Sequence, residues 1–372
     1  MNRRRFLGYL SGMCASAALG KAAANAKWLP GEKGGDFPPG MFFIDAHAHP
    51  DQFFQEVLGG TRNDYTSTLD DIRTLGMQAS CFAAIGDMKS SPAPVTFHQV
   101  LDQLNVVKKL EDERKVKIIR RHSRIHRGEH RRHFTPGAIL ALEGGTPLAG
   151  DPDNVDILYR HGVRLITLMH YVDNEIGDVM SLGRDANNNP IPLTLTNGGL
   201  TNKGKHIVRR MIALGMVVDV AHAHINTLRE ITEIAHANGT PVIDSHTSLT
   251  LAPLPIGNRL RTWVEMEMIV KTGGAICTWP SGVYRTFIEW AQEISEIKVR
   301  FGIEHVALGT DGGGNSPISV QGYREVGDGK KYEGLLDLPM LVDAMAEVGF
   351  TRREITDYMG ENLYRILKLC LR

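Results

Sequence analysis

The chain predicts an α/β fold, a (β/α)8 TIM barrel, on three observations. Eight short runs are apolar on both faces, which is how strands read in a parallel sheet covered by helices. Longer stretches with the spacing of amphipathic helices lie between them, so strand and helix alternate along the chain. The first strand runs into His47-Ala48-His49, where an open doubly wound sheet, the alternative, would place a glycine-rich dinucleotide turn.

The first residues are expected to be a targeting segment. Arg3-Arg4-Arg5 stands ahead of Phe6-Leu7, a modestly apolar run continues to about Gly20, and Ala24-Asn25-Ala26 supplies a small-x-small cleavage signal. Residues 1–26 therefore read as a cleaved twin-arginine export signal. The apolar run is too short for a membrane anchor, and Met13 before Cys14 spoils a lipoprotein site. No later segment reaches the roughly 18 apolar residues of a membrane helix, so a periplasmic or secreted protein without a membrane span is expected. Cys81, Cys277 and Cys370, left after cleavage, have neither a disulfide framework nor Cys-x-x-Cys spacing. Lys+Arg and Asp+Glu both number 42, and a net charge of zero removes any general electrostatic case for nucleic acid or an anionic membrane.

Residues 27–40, rich in Gly and Pro, read as a flexible leader, followed by a single domain over 41–372. The strand candidates are 41–45, 79–84, 138–142, 164–168, 216–220, 241–243, 274–277 and 305–308. Helical stretches include 69–75, 95–110, 203–214, 226–237 and 262–271, with 335–348 and 351–358 closing the series. Two long Gly-rich connections, 171–200 and 312–334, follow strands and would lie over the mouth of a barrel as lids.

In such a barrel the chemistry sits at the C-terminal ends of the strands. Residues i and i+2 of an extended chain share a face, so His47 and His49 can converge on one ion. The later runs end in Glu143, His170, His222, His246 and Asp311. Singly each has a plain structural reading: a capping glutamate, a core histidine, or an aspartate opening a turn. Together, His47, His49, His222 and His246 with Glu143 and Asp311 are the inventory of a hydrolytic two-metal site, with a carboxylate bridging the ions and water between them becoming hydroxide. Imidazole and carboxylate suit zinc best; manganese, iron or cobalt use the same ligands.

Several motifs carry a resemblance. They are Ile44-Asp45-Ala46-His47, Ala141-Leu142-Glu143-Gly144, Gly199-Leu200-Thr201-Asn202-Lys203-Gly204, Val218-Asp219-Val220-Ala221-His222, Ile243-Asp244-Ser245-His246, Asn258-Arg259, Gly309-Thr310-Asp311-Gly312 and Gly360-Glu361-Asn362. In them the chain resembles the membrane (renal) dipeptidase family of zinc metallopeptidases over nearly the whole mature sequence. The resemblance implies a barrel of the metal-dependent hydrolase type holding two divalent ions. His47 and His49 would hold the first, Glu143 would bridge, and His222 and His246 would hold the second. It implies that His170 donates to the developing oxyanion or the substrate, that Arg259 clasps the substrate carboxylate, and that Asp311 moves the proton from water to the leaving amine. Arg261, two residues away, could serve in place of Arg259. Dimers are common among such barrels, so a homodimer is a family expectation.

One departure stands out. Family members typically read His-x-Asp where this chain has His47-Ala48-His49, which removes one negative charge from the metal cluster. A basic segment, 114–133, reads as a solvated helix end and loop. The expected function is hydrolysis of a dipeptide or small peptide-like amide. A lactone or other amide is the alternative substrate, and a non-hydrolytic periplasmic protein that binds or matures a peptide is the alternative class.

Overall fold

The computed structural model describes residues 41–49, 66–87, 94–127, 135–181, 191, 193–250, 259–279, 286–312 and 335–372. The expected export signal, leader and most of the second lid, 313–334, lie outside the described residues.

Nine strands are present among them: β1 (Ile44–Ala48), β2 (Ala79–Ile85), β3 (Lys117–Ile118), β4 (Gly137–Glu143), β5 (Val163–Thr167), β6 (Val217–Asp219), β7 (Val242–Thr247), β8 (Ala275–Thr278) and β9 (Val306–Leu308). All pairings are parallel, in the order β1-β2-β4-β5-β6-β7-β8-β9, with β3 on the side of β4. The ring closes where Ala48 bridges Gly312. Here the His49 N–H donates to Gly312 O at 2.8 Å and the Asp311 N–H to His47 O at 3.0 Å. The eight-stranded parallel barrel is therefore the predicted fold class.

The helices are α1 (Thr66–Leu75), α2 (Phe97–Asp112), α3 (Pro152–His161), α4 (Asn202–Leu214), α5 (Ile225–Ala237), α6 (Trp263–Lys271), α7 (Phe287–Phe301), α8 (Leu338–Val348), α9 (Arg352–Thr356) and α10 (Asn362–Cys370). Their starts follow local chemistry. Thr96, Thr201, Thr262, Thr286 and Thr351 each accept a backbone N–H from the first helical turn, and Thr96, Thr262 and Thr351 complete capping boxes with Gln99, Glu265 and Glu354. Helix α10 touches β1 and β6, which are opposite one another in the ring, and Leu363, Ile366, Leu367 and Cys370 join a buried cluster with Ile44, Val217 and Ala275. It therefore lies across the N-terminal mouth, leaving the C-terminal mouth for chemistry. No helix among the described residues is long and apolar enough to cross a membrane.

Two strand boundaries differ from expectation in a way that matters to the site. Strand β1 starts at Ile44: the Phe43 N–H is taken by the Gln78 side chain at 2.6 Å, while the Phe43 carbonyl accepts the Gln78 N–H at 3.0 Å. The strand instead extends through His47. Strand β7 continues past Ile243 to Thr247 and carries His246 within it. The connection after β5 is tied down in its described part: Asp178 accepts the N–H groups of Asn197 and Gly199, and Asp173 accepts that of Val179. In the basic segment, β3 pairs with β4 and the remainder to Arg127 forms a turn; residues 128–134 are outside the described part.

Packing inside the ring leaves no room at Gly309. A Cβ there would fall 1.7 Å from Ser245 O. Gly309→Ala is expected to cost about 3 kcal/mol of folding stability, read as a lowered midpoint in urea with an unchanged slope; a midpoint equal to that of the parent would contradict this packing.

Candidate metal centre

The C-terminal rim gathers seven of the residues named from the sequence. His47 and His49, on and just after β1, bring their Nε2 atoms to 3.1 Å of each other. His222 and His246, after β6 and on β7, do the same at 2.7 Å. Glu143 ends β4 between the two pairs: Oε1 lies 3.2 Å from His222 Nε2, 3.4 Å from His246 Nε2 and 3.6 Å from His47 Nε2, and Oε2 lies 3.0 Å from His49 Nε2. Asp311 Oδ1 stands 3.4 Å from His49 Nε2 and 3.9 Å from His47 Nε2. His170 Nε2 approaches Glu143 Oε2 at 3.4 Å.

These separations fit a metal centre. Ligand atoms that share one ion at about 2.0–2.2 Å lie roughly 3–3.5 Å apart, the range in which most of these contacts fall. The Nδ1 atoms of His47, His49 and His246 are anchored so that Nε2 faces inward. His49 Nδ1 sits 3.1 Å from Ala83 O, and Ser245 Oγ lies 3.2 Å from His47 Nδ1 and 2.9 Å from His246 Nδ1. A hydroxyl oxygen has two lone pairs and can accept from both rings, leaving both Nε2 lone pairs free for a cation. Glu143 Oε2 and His222 Nδ1 are buried without a hydrogen-bond partner. Three overlapping groups can hold an ion: His47, Glu143 and His246; His47, His49 and Asp311; and Glu143, His170 and His222.

The backbone is strained where it delivers these groups. Among the described residues only four non-glycine residues have positive φ, and His222 (φ 65) and Asp311 (φ 49) are two of them. The Met180 N–H donating to His222 O at 2.7 Å, and the Asp311 N–H donating to His47 O, hold these turns.

Electrostatics follow from burial and crowding. Burial alone would push Glu143 up, but the charges of His170 and His47 and hydrogen bonds from His222 and His47 hold its carboxyl well below the usual range. Burial, reinforced by the Arg259 charge, holds His222 well below the ordinary imidazole value; burial and the charges of His47 and His222 do the same to His246. Burial also opposes charge on His49, yet hydrogen bonds to Asp311 and Glu143 outweigh it and push it up to about 10.

Of the two candidate arginines, the structure commits Arg261 to support. It is fully buried, with Nε 2.6 Å from Asp244 Oδ2, Nη1 donating to Ala223 O and Glu265 Oε1, and Nη2 donating to Val220 O. Arg259 lies on the rim. Its guanidinium stacks on Tyr171 at 4.4 Å, one Nη donates to His170 O, and its buried Nε has no partner. Sequence reasoning missed Ser245, Tyr171 and Asp87. The nearest signal for Asp87 was its place just after β2, on the same rim as the residues that were found.

A parallel barrel that gathers imidazoles and carboxylates on this rim offers the donor set of a metal centre. The chain belongs to the membrane dipeptidase family, peptidase family M19, whose model matches residues 43–370. It is 28% identical over 235 residues to dipeptidase verJ of Clonostachys rogersoniana, covering 62% of this chain and 54% of that one. The chain spans about half the length of the curated relatives it matches. Its fold resembles an amidohydrolase from Pseudomonas aeruginosa, with TM-score 0.68, 18% identity, and coverage of 89% of this chain and 97% of that one. A metallo peptidase from Rhodobacter sphaeroides, liganded with a phosphinate mimic of the dipeptide L-Ala-D-Ala, gives TM-score 0.69 at 15% identity, over 89% of this chain and 99% of that one.

The different settings of the two arginines lead to different costs. Arg261→Met strands two buried carboxylates and is expected to lose about 3–5 kcal/mol, whereas Arg259→Met stays within about 1 kcal/mol. Urea unfolding of both variants checks this, and equal losses would show that Arg261 is not the structural member.

Proposed function

We propose that this protein is an exported, binuclear metal-dependent dipeptidase acting on a dipeptide or a small peptide-like amide. The observation that carries the reading is the convergence of four imidazoles on Glu143 beside Arg259, whose buried Nε has no partner. Family membership supports it, as do the dipeptidase names of the relatives.

His47 and His49 would hold one divalent ion and His222 and His246 the other, with Glu143 between them. Zinc suits this donor set best. Two such ions would polarise a peptide carbonyl and make water acidic enough to act as a nucleophile at neutral pH. The chain's own residues supply the rest. Arg259 offers a guanidinium on a fixed aromatic platform to the terminal carboxylate of a short peptide, and a planar fork binds such a group through two parallel hydrogen bonds. His170 points Nε2 into the centre, placed to donate to the charge that develops on the carbonyl oxygen. Asp311 is the most open carboxylate of the centre, its side chain 25% exposed, and is placed to take a proton and return it to the leaving amine.

The deciding experiment measures metal content and dipeptide turnover on one sample. About two zinc or manganese ions per chain are expected, with hydrolysis that falls at least 100-fold in Asp311→Asn while metal content holds. One ion or none, with no turnover after metal is added, sinks the binuclear dipeptidase. Turnover of a lactone in place of dipeptides moves the reading to the broader amidohydrolase chemistry that His49 shares.

Export rests on the twin arginine at the start of the chain. Replacing Arg3 and Arg4 by lysine is expected to leave the protein in the cytoplasm of a bacterial host, measured by fractionation; periplasmic recovery equal to that of the parent would remove the twin-arginine route.

A further inference from the structure

Asp87 lies just past β2 and is 3% exposed. Its Oδ1 is 3.0 Å from His170 Nδ1 and accepts the Tyr171 N–H at 3.1 Å, and its Oδ2 accepts the Thr146 hydroxyl at 3.3 Å. Asp87 Oδ1 is the carboxylate oxygen that stands beside His170 Nδ1, which has no aligned hydrogen-bond partner as the ring stands. The pocket around this carboxylate is built of glycine. At Gly144 (φ +95) a Cβ would lie 2.7 Å from Asp87 Oδ2, and at Gly86 one would lie 2.0 Å from Gly144 O. A buried carboxylate is costly to keep unless its charge is used, and neither the metal ligands nor the barrel seam uses this one.

What Asp87 reaches is the substrate side of the centre. With Nδ1 facing Asp87, the same imidazole turns Nε2 toward Glu143 Oε2 at 3.4 Å. The next residue, Tyr171, is held by its N–H on the same oxygen; its ring packs on His170 with centroids 4.0 Å apart and carries the Arg259 guanidinium at 4.4 Å. Asp87, His170, Tyr171 and Arg259 thus form one continuous stack from the end of β2 to the rim.

We propose that Asp87 is a positioning residue: it takes the Nδ1–H of His170 so that Nε2 is presented to the reacting carbonyl, and through Tyr171 it sets the platform for Arg259. This rests on the dipeptidase reading above. The geometry separates two effects. Asn in place of Asp keeps a neutral acceptor at Oδ1 for the Tyr171 N–H but removes the negative charge that favours the proton on His170 Nδ1, so it should lower kcat and spare KM. Ala removes both and should move both constants.

The test uses zinc-loaded full chain with a dipeptide substrate. Asp87→Asn is expected to lower kcat about tenfold or more, with KM within about twofold of the parent and metal content and melting temperature unchanged. Asp87→Ala should lower kcat further and raise KM. Thr146→Val, which removes only the hydroxyl contact to Oδ2, should leave kcat within about threefold. In parallel, a downfield ring N–H proton signal, assigned by its loss in His170→Ala, should also vanish in Asp87→Ala. A wild-type kcat in Asp87→Asn, or a signal that persists in Asp87→Ala, overturns the proposal. A parent protein with no dipeptide turnover defeats the dipeptidase reading, and the ring proton signal still decides whether Asp87 holds His170.

Discussion

The crowding of imidazole nitrogens around one buried carboxylate is the constraint on which the rest of the structure depends. Two pairs of Nε2 atoms stand 2.7 and 3.1 Å apart, each within reach of Glu143. Lone pairs brought that close in a water-poor site repel one another unless a proton or a cation sits among them. Burial disfavours a proton on His222 and His246, which leaves a cation as the species that suits that pair.

Holding the pairs in place is the task of groups one step further out. Ser245 ties His47 to His246, and its carbonyl is allowed its position by the missing side chain at Gly309. Asp45 works along the closing seam of the barrel: Oδ1 accepts the Thr310 N–H at 2.8 Å, and Oδ2 accepts the Thr310 hydroxyl at 2.7 Å. That seam brings Asp311 beside His49. Closure of the ring and assembly of the centre are therefore one event, because the bonds that join the last strand to the first also set the distance from Asp311 to His49.

Much of this was legible in the sequence, for a physical reason. Strands of a covered parallel sheet are apolar on both faces, so all eight barrel strands were visible as runs, and their ends marked the rim. What failed was local. Strand β1 was placed three residues early, because the bond from the Gln78 side chain to Phe43 is a tertiary contact that no run of residues encodes. Helices α3, α7 and α10 were not singled out, although α3 carries Asp151 as its cap, Pro152 at its first turn and Gly162 in the left-handed conformation after it. Counting back from the helix over 262–271 favours Arg259 over Arg261. That Arg261 is buried against Asp244 and Glu265 is a property of the folded ring that spacing does not encode. Asp87 was not named, because its partner His170 is 83 residues away in the sequence and only the fold brings the two together.

His49 gives the centre its individual character. With imidazole at position 49, Glu143 and Asp311 are the two carboxylates in contact with the Nε2 atoms of the His47 and His49 pair. A divalent ion held there would keep more positive charge than it would with a third carboxylate in contact. The structure answers with geometry. The His49 ring is pinned through Nδ1 to the Ala83 carbonyl, and its Nε2 lies against both remaining carboxylates. Asp311, itself held in a left-handed turn by the seam, is thus one of the two carboxylates against which the His49 ring rests. Its position serves the charge balance of the centre as well as the proton it is proposed to carry.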